Sequence, residues 1–307
     1  MSDPKASPSQ GDEVRGPAQY AAFVSMCLIW GTTFLAIRIG SESIQPLWGA
    51  TIRLILAALL NAIVALLTRA AWPRGSALRG ILIFGLLNLG VNFALLYWGE
   101  MTVPSGIAAV FYATIPLTTG VFAWMLGVQP LERFKMMGAA VGLVGIAVIF
   151  SGEIRWGAPA PALLAVFTGA TLASLAGVIL KKVPPHSSFV VNAIGCAVGA
   201  CVCFLGSLIL GESRDLPRSM AAWGPILYLT IAGNLGAYVL YTWLLTKWKV
   251  TTVSVGALII PVLAVIVGAL VRGESPAPGT YLGAALVLFG VSVSLFGGRK
   301  AATARQG

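Results

Sequence analysis

Ten apolar runs, each about long enough to cross a bilayer, take up most of this chain: approximately 20–38, 47–68, 79–98, 104–127, 133–151, 160–180, 188–210, 223–245, 250–271 and 279–297. A spanning helix needs roughly 20 apolar residues, because hydrocarbon offers no water and each backbone N–H and C=O must be bonded inside the segment. The runs are unbroken and far longer than the alternating strands of about ten residues that membrane barrels use. The sequence therefore predicts an all-α integral membrane protein with ten transmembrane helices. Short connections separate the runs and carry turn punctuation, such as Gln45-Pro46, Trp72-Pro73-Arg74-Gly75, Pro184-Pro185-His186 and Asp215-Leu216-Pro217. With 58% hydrophobic and 10% charged residues, against about 25% charged in ordinary soluble domains, a soluble globule is excluded.

The net charge of +10 follows topology. With so few charges overall, it cannot form the broad phosphate-binding face of a nucleic-acid partner. Lys and Arg gather in loops on one side of the predicted membrane, 14 on the side of the N-terminus against 5 opposite (Arg38, Arg155, Arg214, Arg218 and Arg272), with Arg53 inside a span. Positive loops stay cytoplasmic, so both termini are expected in the cytoplasm of a bacterial inner membrane. The first residues hold charges and prolines without an apolar core, which reads as a tail rather than a signal peptide. Cys27, Cys196, Cys201 and Cys203 all lie in apolar runs and read as packing residues rather than disulfides or metal ligands.

The chain repeats itself. Residues 98–152 lie on 243–297 without a gap at a shift of 145: Trp98 on Trp243, Ile115-Pro116 on Ile260-Pro261, Gly138-Ala139-Ala140 on Gly283-Ala284-Ala285, Gly145 on Gly290 and Gly152 on Gly297. Each half then holds five spans. Five is odd, so the second half enters the membrane from the opposite side, giving two inverted five-helix repeats with a substrate site expected near the midplane. The division is a tail over 1–19, a first repeat over 20–152, a second over 153–298 and a tail over 299–307.

Several landmarks now stand in order: Leu28-Ile29-Trp30-Gly31-Thr32-Thr33-Phe34 in span one, Arg53 early in span two, proline-centred spans four and nine, and glycine-rich spans five and ten. Together they resemble EamA-type transporters of the drug/metabolite transporter superfamily over nearly the whole chain. Within that superfamily the sequence is similar to YddG-type exporters of aromatic amino acids. The resemblance implies a path enclosed by helices 1, 3, 4, 6, 8 and 9, alternating access, and either facilitated diffusion or exchange.

Polar side chains inside spans are costly and therefore informative. Asn88 and Asn92 sit one turn apart in span three, and Asn234 sits in span eight with Tyr238 and Tyr241 at i+4 and i+7. Amides donate and accept, which suits the carboxylate and ammonium of an amino acid; bonding between helices is the alternative. Trp30 lies mid-span, where it either stacks on an apolar substrate or packs in the core. Pro116 and Pro261 each remove an intrahelical bond, freeing the carbonyls of Tyr112 and Ala257, so Tyr112 becomes a cavity candidate and the two prolines are candidate hinges. The glycines of spans five and ten read as packing between halves or subunits, and Arg53 reads as snorkelling toward the outer interface.

Absences narrow the mechanism. The sequence has no phosphate-binding G-x-x-x-x-G-K-[ST] loop, its lone His186 is in a loop, and no acid sits at a span centre. The related small multidrug transporters use a glutamate in their first helix for proton exchange. Helix one here has none, which leaves Glu100 as the nearest candidate. No cofactor or metal is expected. An enzyme would need ionisable groups gathered at one interface, and a channel would need a ring of carbonyls or charges. The expectation is a non-enzymatic exporter of aromatic or other apolar amino acids, either a monomer or a homodimer, contacting lipid and no nucleic acid. Its predicted site comprises Trp30, Asn88, Asn92, Tyr112, Asn234, Tyr238 and Tyr241. Drug or metabolite efflux on the same fold, with or without proton coupling, is the alternative.

Overall fold

The structure is a computed structural model that describes residues 16–41, 43–103, 105–151, 159–272 and 278–303. Among these residues all regular structure is helical, and helix occupies each of the ten apolar runs. In chain order the rods are α1 (Pro17–Ser41), α2 (Pro46–Leu67), α3 (Gly75–Glu100), α4 (Ser105–Tyr112 and Ile115–Met125) and α5 (Arg133–Ile149). The second half holds α6 (Ala160–Lys182), α7 (Ser188–Ile209), α8 (Met220–Tyr228, Leu229–Tyr238 and Val239–Lys247), α9 (Val250–Ser254 and Gly256–Arg272) and α10 (Pro278–Thr303). Six helices among the described residues are long and apolar enough to cross a membrane: α2, α3, Ile107–Met125 of α4, α6, α7 and Gly279–Phe296 of α10. Helix α1 begins inside the stretch read as a tail, and α10 runs past 298. Gly152, Arg155 and the side chains of Arg38 and Arg272 lie outside the described residues.

Burial runs opposite to that of a protein in water. Leu67, Leu164 and Ile209 are 79%, 64% and 84% exposed, while Asn61, Asn192 and Asn234 are fully buried. In hydrocarbon this order is the stable one, since lipid tails solvate leucine and polar groups must find partners inside. The four cysteines are free thiols, three buried and Cys201 exposed.

Helix ends are closed by identifiable partners. Helices α4 and α7 stop at Gly127 and Gly211, whose φ of 64° and 67° suits a residue without Cβ. Helix α2 has no cap of its own; instead Glu212, from the connection after α7, accepts from the backbone N–H groups of Leu47 (3.0 Å) and Trp48 (2.8 Å). A carboxylate there satisfies two orphan donors and complements the helix dipole. At the end of α8, Lys181 donates to the carbonyls of Leu245 (2.6 Å) and Trp248 (2.9 Å).

The glycines at seven-residue spacing form a seam between the halves. A Cβ on Gly145 would stand 2.7 Å from the carbonyl oxygen of Gly283, and one on Gly283 would stand 2.6 Å from that of Gly145. Helices α5 and α10 thus meet backbone to backbone, which only the smallest residues permit. Ser294 of α10 donates to the carbonyl of Lys135 on α5 at 3.1 Å.

One feature of the fold bears directly on the site. Helix α3 opens into wide π turns over Gly85–Val91, and α8 does so over Leu229–Tyr238. Moved along by the repeat distance of 145 residues, the first segment falls on 230–236, wholly inside the second. Such turns cost regular hydrogen bonding and are frequent at functional sites. Helix α4 breaks after Tyr112 and α9 breaks at Val255.

Candidate functional site

A cavity of about 160 Å³ lies among the π-turn rods and the broken ones, lined by residues of α1, α2, α3, α4, α6, α8 and α9. Six of these are the helices that the resemblance implies; α2 is the addition. Six of the seven residues predicted to bind substrate line it: Trp30, Asn88, Asn92, Tyr112, Tyr238 and Tyr241. Larger in volume is a groove of about 940 Å³ beside α1, lined by alanines, His186 and Lys247, but it lacks the convergence of buried polar groups found at the central cavity.

Polar groups along one part of the wall are bonded across the helices. The Tyr112 hydroxyl donates to Asn92 Oδ1 at 2.5 Å, and Asn92 Nδ2 donates to the Asn88 carbonyl at 3.0 Å. The Tyr238 hydroxyl donates to Asn88 Oδ1 at 3.0 Å, joining α8 to α3. Asn92 is therefore engaged through both its oxygen and its nitrogen. Asn88 is held by its oxygen, and its Nδ2 makes no hydrogen bond among the described residues.

Aromatic rings form another part of the wall. Trp30 meets Tyr238 edge-on with centroids 5.2 Å apart and lies 5.5 Å from Tyr241, while Phe93 meets Tyr238 at 6.1 Å. The Trp30 ring thus lines the cavity and is at the same time packed against two neighbours. Thr33 turns its hydroxyl back to the Trp30 carbonyl at 2.7 Å, which leaves the ring side of α1 apolar.

Arg53 corrects the expectation of snorkelling. It is 4% exposed, lines the cavity, donates from Nη1 to the Tyr97 hydroxyl at 2.8 Å, and holds its guanidinium carbon 4.8 Å from the Phe93 ring centre. A side chain long enough to reach water instead turns inward to an aromatic face and a phenol, which partly replace its hydration.

Asn234 is the predicted residue that the cavity leaves out. It is fully buried and points Nδ2 at the Cys196 sulfur of α7 at 3.7 Å, with no partner for Oδ1. The residues of α8 that do line the cavity are Gly233, Tyr238 and Tyr241, and the first step between them is five residues, the span of a π turn. The α-helical period used to place Asn234 beside Tyr238 does not hold across this segment.

The prolines also part company. Pro261 lines the cavity from within α9, whereas Pro116 sits second in the lower piece of α4 and faces a smaller pocket with Glu132, Lys135 and Thr251. There Lys249 and Lys135 bond Glu132 at 2.8 and 3.3 Å, tying the start of α9 to the α4–α5 connection. Glu100 has Oε1 buried without a partner but does not line the central cavity. Phe93 and Tyr97 were missed, although their spacing of four residues, which puts both rings on one helix face, was a readable signal. Among the described residues, no cluster of His, Cys, Asp or Glu could hold a metal.

The sequence profile of the EamA-like transporter family matches residues 18–151 and again 160–296. Among named relatives, the uncharacterized inner membrane transporter YedA of Escherichia coli is 29% identical over 279 residues, covering 91% of this chain and 90% of the relative. A "Probable terminal-alkyne amino-acid exporter" of Streptantibioticus cattleyicolor is 26% identical over 88% of this chain and 91% of the relative. A "Probable amino-acid metabolite efflux pump" of Salmonella typhimurium is 24% identical, with 91% and 95% covered. A solved crystal structure superposes with a TM-score of 0.77 at 20% identity, over 94% of this chain and 99% of the other, which bears on the fold alone. The chain belongs to the EamA-like transporter family and is a membrane transporter of small molecules, not an enzyme.

Proposed function

We propose that this transporter exports amino acids with aromatic or other apolar side chains across a bacterial inner membrane by alternating access, as a uniporter or an exchanger. The observation that carries the reading is the division of one buried cavity into a polar part, with Asn88, Asn92 and Tyr112, and an aromatic part, with Trp30, Tyr238 and Tyr241. An amino acid is divided the same way. Ten spans in two inverted repeats, with both termini in the cytoplasm, fit the positive loops and the two family matches. Breaks in α4 and α9 allow the lower and upper pieces to tilt separately, with Pro116 and Pro261 nearby as hinges.

Two relatives named for amino-acid or amino-acid-metabolite export support this substrate class. Among the described residues the cavity lining contains Arg53 and neither Asp nor Glu, which argues against cationic drugs and against a cavity carboxylate as proton carrier. The deciding measurement is counterflow of labelled amino acids in proteoliposomes. Uptake driven by an internal aromatic amino acid is expected, and absence of counterflow with every amino acid would overturn the proposal.

A further inference from the structure

We infer that Arg53 is the binding residue for a substrate carboxylate, and that the cavity accepts monocarboxylates with an aromatic or apolar tail whether or not they carry an ammonium group. This assignment rests on the reading of the cavity as the substrate site. Arg53 lies seven residues into α2, roughly 10 Å along the helix, and is 4% exposed. A guanidinium carries five N–H donors. Here one of them is used, by the Tyr97 hydroxyl, and Nε is buried with no partner.

No carboxylate lies within ion-pair distance of Arg53 among the described residues. Phe93 and Tyr97 stabilise the cation but supply no opposite charge. A buried charge without a counter-ion is expensive, and ionisable groups held at membrane depth mark substrate paths. A ligand carboxylate would complete Arg53 through the paired N–H fork that fits two oxygens.

The rest of the lining has the same bias. Among the described residues, Asn88 Nδ2 and the Tyr241 hydroxyl have no hydrogen-bond partner, and both residues line the cavity. No acid is among the described lining residues, and Glu100 of α3 does not reach the wall. An ammonium group would meet neutral hydroxyls, amide oxygens and ring faces, without an opposite charge. Charge recognition is thus one-sided: the carboxylate is required and the amine is tolerated.

The test is thermal stability of the purified full-length protein in detergent with three probes: phenylalanine, 3-phenylpropionate, which lacks the amine, and phenylalaninamide, which lacks the carboxylate. Both acids should raise the melting temperature with apparent affinities within about fivefold of each other, and the amide should bind at least tenfold more weakly. Arg53→Gln should abolish the preference for acid over amide, and Arg53→Lys should retain part of it. An amide that binds as well as the acids, or a 3-phenylpropionate that fails to bind, overturns the assignment in the wild type alone, without reliance on a variant. Acid preference without amino-acid counterflow would sink the export reading and leave Arg53 standing; counterflow without acid preference would do the reverse.

Discussion

Replacing Gly145 by alanine tests whether α5 and α10 form a close backbone seam. The added methyl would lie 2.7 Å from the Gly283 oxygen and 2.8 Å from the Val287 nitrogen, both backbone atoms that no rotamer change can move. Ordinary contact begins at about 3.5 Å, so the seam must open by roughly 0.8 Å. Overpacking of this kind costs about 1–3 kcal/mol. Alanine also gains about 0.8–1.0 kcal/mol over glycine in a helix, which would hide part of the cost if Gly145→Ala were measured alone. Gly236→Ala in α8 serves as the control, because its methyl would come no closer than 3.5 Å to its packed neighbours and no proline follows it. The propensity gain is then largely common to the two variants, and the difference is the clash, about 1–3 kcal/mol. At about 2–4 °C per kcal/mol for a chain of 150 residues or more, Gly145→Ala should melt roughly 2–12 °C below Gly236→Ala in the same detergent. If Gly145→Ala melts at or above Gly236→Ala, the seam is not where stability resides.

Three further changes address the site and its frame. Tyr112→Phe removes the donor to Asn92 Oδ1; hydrogen bonds between membrane helices average about 0.6 kcal/mol and reach about 1.7, so melting should fall by a few degrees and counterflow about 3- to 20-fold, and wild-type values in both assays would count against the link. Asn88→Ala should cut counterflow at least tenfold, while Asn234→Ala stays within about threefold of wild type, because Asn234 lies outside the cavity with its oxygen unpaired; equal losses would restore Asn234 to the site. Glu212→Ala strips two charge-assisted bonds from the start of α2, worth about 1–3 kcal/mol together. The resulting drop in melting temperature should be partly recovered in Glu212→Gln, and an unchanged melting point would show that the cap contributes nothing.

Much of this molecule was legible because hydrocarbon leaves the chain few choices. An apolar run of about 20 residues has to become helix, and each of the ten runs contains one. The glycine spacing was legible for a related reason. Without a hydrophobic drive between helices, close approach is the main source of packing, so small residues recur where α5 meets α10. Trp30, Tyr238 and Tyr241 could be found because a large aromatic far from the interface has either a packing or a site role, and these rings both pack on one another and line the cavity.

Arg53 and Asn234 were misplaced for opposite reasons. Snorkelling assumes that water is the best partner within reach of the guanidinium, yet the Tyr97 hydroxyl and Phe93 face come from α3, 44 and 40 positions away in sequence, and no local pattern reveals them. Asn234 was placed by local pattern alone, and the pattern failed where the helix itself changes period. Both errors concentrate at the π turns and the helices packed on them. A site built there combines wide turns, unpaired donors and a buried cation, each unfavourable in isolation, and a substrate able to satisfy the donors and the charge together recovers part of that cost on binding. The same features that hide the cavity from a helical period therefore reveal it once the backbone is known.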